Sequence, residues 1–182
     1  MDWTYFYAWL MDREGRGVHQ DPRDKGGQTA WGIARKYHSK WRGWALVDAG
    51  IVSGPEFEAA VHEFYWQWLK PFWEDMGPRL REAFCDAMVN MGPGRKGDKI
   101  MGAVELLQHA MNRIVGKDFV DVDGVYGPQT RAALKTMDQG SLAFALCAWR
   151  LSDYTFRAKH GSDNRWALDG WCNRTRDLMS RI

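Results

Sequence analysis

The apolar and polar positions along this chain fall into a series of helical stripes separated by glycine and proline. Phe6, Leu10 and Arg13 at helical spacing predict a first helix that Gly15 stops. From Asp12 to Ile33 the period vanishes, and the stretch DREGRGVHQDPRDKGGQTAWGI is too rich in glycine for a helix. Trp31 to Tyr37 then reads as a short helix, with Trp41 and Trp44 in a connector ending near Val47. Ser53-Gly54-Pro55-Glu56 is a capping box with proline in the first turn, opening a helix with Phe57, Val61, Phe64 and Trp68 on its apolar face and Pro71 at its end. Leu80, Phe84, Met88 and Met91 line the next helix, which stops at Gly92-Pro93-Gly94. The clearest helical period follows Asp98, with Ile100, Val104, Leu107, Met111 and Ile114 before Gly116. Phe119 to Val122 is the only β-like run, and Gly127-Pro128 starts a further helix after it. Two long helices close the chain: Ser141 to His160 with Leu142, Leu146 and Trp149 inward, and Asp163 to Ile182 with Trp171, Thr175, Leu178 and Ile182 on one stripe. The pattern predicts a mainly α protein with at most a very small β element.

A length of 182 residues suits one substantial core, or two small subdomains sharing a face. The break at Gly92 is the best boundary, giving lobes 1–92 and 93–182 packed into the same globule. Most of the 11 tryptophans are expected in the core, although aromatic faces also stack on sugar rings. A formal charge of +2 is too small to argue for nucleic acid. Residues 1–91 carry net −2 and the remainder net +4, a weak lean of the second half toward an anionic envelope. Cys85, Cys147 and Cys172 lie far apart in helix-like segments and read as reduced core thiols. No His or Cys cluster has zinc-ligand spacing, and Asp121-x-Asp123-Gly124 lacks the further ligands of a calcium loop, so no metal or cofactor is expected. The apolar start carries an acid at position 2 and runs for only about ten residues, against about 20 for a span, which reads as neither signal peptide nor anchor.

The aperiodic loop is where chemistry concentrates. Glu14 precedes Gly15, and Asp21, Asp24 and Thr29 follow, so a carboxylic acid, two carboxylates and a hydroxyl lie within one short stretch. Those groups are the raw material of glycoside hydrolysis. At a helix C-terminus the carbonyl dipoles disfavour a carboxylate, and nearby aromatics desolvate it further, so the Glu14 carboxyl is expected to hold its proton to higher pH than usual. A retained proton is what protonating a leaving glycosidic oxygen requires. On spacing alone, a solvated acid at a helix end fits Glu14 equally well.

Glu14-Gly15, then Asp21-Pro22-x-Asp24-x-Gly26-Gly27-x-Thr29-x-x-Gly32-Ile33, resembles the glutamate-glycine signature of glycoside hydrolase family 108, whose members are N-acetylmuramidases and phage endolysins. Asp86-x-x-Val89-Asn90-x-Gly92, Leu107-Gln108, the run Val122 to Thr130, and Gly170-Trp171-x-x-Arg174 resemble the rest of that family, including its C-terminal peptidoglycan-binding-like half. The family usually reads Glu-Gly-Gly-aromatic where this chain has Glu14-Gly15-Arg16-Gly17-Val18, with one extra residue before Asp21-Pro22.

The resemblance implies a lysozyme-like multi-helix fold that cleaves the β-1,4 bond between N-acetylmuramic acid and N-acetylglucosamine. Glu14 is then the proton donor, Asp24 orients or activates water, and Thr29 helps to hold that water. Asp21, Gln28, Trp31, Asn90 and Tyr126 are the expected substrate contacts, Asp21 equally an organiser of the loop. The expected partner is bacterial peptidoglycan, with no nucleic acid and no stable membrane association, for a monomer made in the cytoplasm and released through a holin-type pore. A lytic transglycosylase, built around one glutamate with the sugar's own hydroxyl attacking, is the nearest rival. A noncatalytic wall-binding or secretion-accessory protein is the rival from another class. No Ser or Cys sits in a Gly-x-Ser-x-Gly elbow, which disfavours a nucleophilic hydrolase.

Overall fold

The computed structural model describes residues 2–20, 27–94, 100–160 and 167–182. It is mainly α, with a three-stranded sheet of two-residue strands, and divides into two compact units, Met1–Lys70 and Pro71–Ile182.

The first unit begins with α1 (Trp3–Glu14), whose N-terminus is capped by Asp2 accepting the Tyr5 N–H at 3.1 Å. Phe6, Leu10 and Met11 are buried, and Gly15 ends the helix by donating its N–H to Met11 O. Strands β1 (Val18–His19), β2 (Thr29–Ala30) and β3 (Ile33–Ala34) pair antiparallel in that order. This corrects the helix expected from Trp31. Ala30 pairs with Ile33 across a two-residue turn in which both central residues, Trp31 (φ 47°) and Gly32 (φ 79°), have positive φ, as the tightest hairpin turns require. A tryptophan rarely accepts that backbone. Tyr65 holds it there by donating its hydroxyl to Trp31 O at 2.9 Å, while the Trp31 ring meets Phe57 edge to face at 5.7 Å. The connector around Trp41 and Trp44 includes the short helix α2 (Gly43–Asp48).

Helix α3 (Pro55–Asp75) runs past Pro71, contrary to the expected stop. Proline removes one backbone donor, but Trp73 and Met76 beyond it are buried, and that burial holds the last turn in place. The division between the compact units falls at this proline. The fully buried positions of α3 are Phe57, Ala60, Val61, Tyr65 and Leu69, which leaves Phe64 and Trp68 half-buried on the flank.

In the second unit α7 (Gln139–His160) packs against α4 (Pro78–Met91), α5 (Ala103–Val115) and α8 (Leu168–Met179), with α6 (Pro128–Leu134) a single short helix. Ile100 and Ile114, expected on the apolar face of α5, are exposed, and Trp149 is half-buried against His109. Phe119–Val122 forms no strand. Side chains of α5 do the work of a partner strand: Asn112 accepts the N–H groups of Phe119 and Val120 and donates to Val120 O, all at 2.9 Å. Gln108 accepts the N–H groups of Asp123 and Gly124 at 3.0 Å and donates to Asp123 Oδ1. With its polar groups satisfied this way the loop needs no ladder.

At the centre of the unit, Asp86 on α4 is fully buried and accepts from Arg150 of α7 at 2.6 Å and from Arg174 of α8 at 2.7 Å. Cys85 and Cys147 are buried and Cys172 is half-buried, all as free thiols. Burial pushes the Cys147 thiol up to about 11, so it is inert at neutral pH.

Candidate active site

Glu14 is the last residue of α1 and is half-buried. Tyr7, Met11 and Glu14 follow one another at i, i+4 and i+7, so they share one face of the helix. The β2–β3 turn packs onto that face. A β-carbon placed on Gly32 would lie 2.7 Å from Glu14 Oε2, 2.9 Å from Glu14 Cβ and 2.6 Å from the Tyr65 hydroxyl. Only glycine lets the hairpin backbone approach the carboxyl this closely while holding positive φ. Gly32 therefore sets where the carboxyl sits.

Along the same face opens a cleft of about 360 Å³, walled by Tyr7 and Met11 of α1, by Arg16 and Trp31, and by Glu58 and His62 of α3. Arg16 is exposed, with its guanidinium 5.6 Å from the centre of the Trp31 ring. His62 Nε2 accepts the Trp3 indole N–H at 2.9 Å, which assigns the hydrogen of the neutral imidazole to Nδ1. The His62 ring stands edge-on to Tyr7 at 4.7 Å. Burial pushes the Tyr7 hydroxyl up to about 12, with Arg16 pulling it down and Glu58 pushing it up again, so it remains a neutral donor across the physiological range.

Of the other expected site residues, Trp31 walls the cleft, whereas Gln28, Thr29, Asn90 and Tyr126 are not among its walls. Thr29 is buried on β2 with its hydroxyl 3.4 Å from Gly27 O, and Trp31 is buried in the turn. Gln28 accepts from Arg35 at 2.8 Å, and Arg35 also grips Asp48 with two 2.7 Å bonds. Asp21 and Asp24 lie outside the described residues. Asn90 and Tyr126 belong to the second unit. Asn90 accepts the Tyr154 hydroxyl, while the Tyr126 ring packs on Phe72 and Phe84 and its hydroxyl donates to Asp75 at 3.3 Å. Tyr7, Glu58 and His62 went unnoticed in the sequence. The available signals were the i, i+4, i+7 step from Tyr7 to Glu14 and the i, i+4 step from Glu58 to His62. Among the described residues no group of three or more His, Cys, Asp or Glu is arranged to hold a metal ion.

Residues 7–92, which contain Glu14, Gly32 and every wall of the cleft, match the family described as Glycosyl hydrolase 108. Residues 102–176 match the family described as "Predicted Peptidoglycan domain". The two matched segments follow one another along the chain. A structure of SagA from Brucella abortus is similar over 98% of this chain and 91% of that one, with a TM-score of 0.69 and 26% sequence identity. No curated protein matches. The glycosyl hydrolase 108 segment extends through α4, a helix of the second compact unit, so the boundary between the families and the boundary between the compact units differ. The two matches support a peptidoglycan-acting glycosidase or binding protein.

Proposed function

We propose that this chain is a muramidase of the endolysin type, hydrolysing the β-1,4 bond between N-acetylmuramic acid and N-acetylglucosamine. The observation that carries the reading is the placement of Glu14 inside the glycosyl hydrolase 108 segment, pressed against Gly32 on the helix face that walls the cleft. In the reaction the bond between the muramic anomeric carbon and the bridging oxygen breaks. Glu14 delivers its proton to the departing oxygen, and water supplies the new anomeric hydroxyl. Asp24 takes the proton from that water, and Thr29 helps to orient it. The second family segment holds the enzyme on the wall. No described helix is long and apolar enough to cross a membrane, and we assign release to a separate pore-forming protein.

The test is digestion of purified peptidoglycan followed by mass analysis of the fragments. Muramic acid at the new reducing ends is the expected product. Anhydromuramic ends, one water lighter, would instead make the chain a lytic transglycosylase, and intact strands would make it a binding protein.

Gly32→Ala should be damaging out of proportion to its size. The added carbon meets Glu14 and the Tyr65 hydroxyl below contact distance and is strained at φ 79°. We expect roughly 1–3 kcal/mol of lost stability and about a hundredfold lower turnover per folded molecule, since displacing a reacting group by about 1 Å costs that much. Thermal melting and wall-clearing rates read the two effects separately. Full turnover in the folded variant would show that Gly32 does not position the acid.

A further inference from the structure

The cleft beside Glu14 is built for more than a neutral sugar. Its apolar surface comes from Met11 and Trp31, yet it also presents a guanidinium at Arg16, a carboxylate at Glu58, an imidazole at His62 and the un-ionised hydroxyl of Tyr7. Arg16 and Glu58 both line the cleft together with Tyr7, so a cation and a carboxylate face the same space. One residue, Gly15, separates Arg16 from Glu14, at most about 7 Å between their α-carbons. Arg16 therefore enters the cleft from the stretch of backbone that directly follows the acid.

Sugar hydroxyls accept hydrogen bonds from and donate them to neutral and charged side chains alike, but they leave a cation and a carboxylate without an opposite charge to meet. A full cation and a full carboxylate in one cleft match a ligand carrying carboxylates together with amide N–H or ammonium groups. In peptidoglycan those groups belong to the peptide stem attached through the lactyl ether of muramic acid. Arg16 is also the residue that departs from the glutamate-glycine signature, and the Trp31 ring lies beneath its guanidinium.

We propose that the cleft walled by Tyr7, Arg16, Glu58 and His62 is a peptide-stem subsite, in which Arg16 receives a stem carboxylate and Glu58 accepts an amide N–H or ammonium group. The inference rests on the muramidase reading and deepens it: the enzyme selects stem-bearing muramic residues over glycan of the same backbone without peptides.

The experiment compares glycan strands that carry their stems with strands from which an amidase has removed them. KM and kcat are measured on both for the full-length parent, Arg16→Ala, Arg16→Lys and Glu58→Gln. For the parent, KM should be lower on the stem-bearing strands. In Arg16→Ala the ratio of the two KM values should move toward one by about tenfold, the size of one lost charge-assisted hydrogen bond. Arg16→Lys should restore part of the ratio and Glu58→Gln should reduce it. A parent that does not distinguish the strands overturns the subsite. So does an Arg16→Ala variant that changes both strands equally, or one that changes neither because Arg16 serves only to pair with Glu58. A parent that cleaves neither substrate removes the muramidase reading and this inference together, whereas cleavage indifferent to Arg16 removes this inference alone.

Discussion

Glu14→Gln should abolish hydrolysis of purified cell walls while melting close to the parent temperature. The substitution keeps the shape of the side chain and removes the proton the leaving oxygen needs. General acid catalysis accounts for about 10²–10⁴-fold in rate, so residual turnover should fall to a per cent or less. The fold should tolerate the change, because α1 is anchored by Phe6, Leu10 and Met11 and stopped by Gly15, none of which depends on the carboxyl charge. Binding of the inactive variant to walls should persist, making the loss one of kcat and not of KM. More than a few per cent of parental activity would take Glu14 out of the mechanism. It would favour a wall-binding role for the chain.

The chain announces Glu14 but not the cleft beside it. An acid followed by glycine at the end of a periodic stretch is a local signal, and the structure puts Glu14 at the C-terminus of α1. Tyr7 and His62 meet only because α1 packs on α3, with Trp3 and Trp66 4.9 Å apart along the same contact. No periodicity reports which faces of two distant helices come together. Two of the misread segments share a physical theme, in that side chains replaced the expected backbone partners. Asn112 and Gln108 satisfy the loop that resembled a strand, and the Tyr65 hydroxyl anchors a tryptophan at positive φ where the apolar pattern suggested a helix. Period-based reading recovered α1, α4, α5, α7 and α8, where burial alone fixes the register, and lost track where polar side chains decide.

The second large effect should come from Asp86→Asn. Asp86 and Arg150 are both fully buried, and the Asp86 carboxylate bridges Arg150 and Arg174. Burial alone would push the Asp86 carboxyl up, but the attraction and hydrogen bonds of Arg174 and Arg150 outweigh it and hold the pKa below the ordinary carboxylate value. Removing the anion strands buried guanidinium charge, which costs about 3–5 kcal/mol. Because the folded pKa is depressed, this contribution is fully present above the unfolded value near 3.9 and is lost as pH falls through the lower folded value. The gap in stability between parent and Asp86→Asn should therefore be constant from about pH 5 to 7 and close in acid below about pH 4. Thermal melts across that range test it, and a gap that widens in acid would refute the assignment. The same cluster decides which fragment folds. Asp86 lies in the glycosyl hydrolase 108 segment by sequence but packs with α7 and α8, so the fragment Gly94–Ile182 lacks both the anion and the α4 surface that covers α7. That fragment should fail to unfold cooperatively, whereas Pro71–Ile182, which keeps α4, should show a sharp transition. A sharp transition in the shorter fragment would mean that α4 and its carboxylate are dispensable to the second unit.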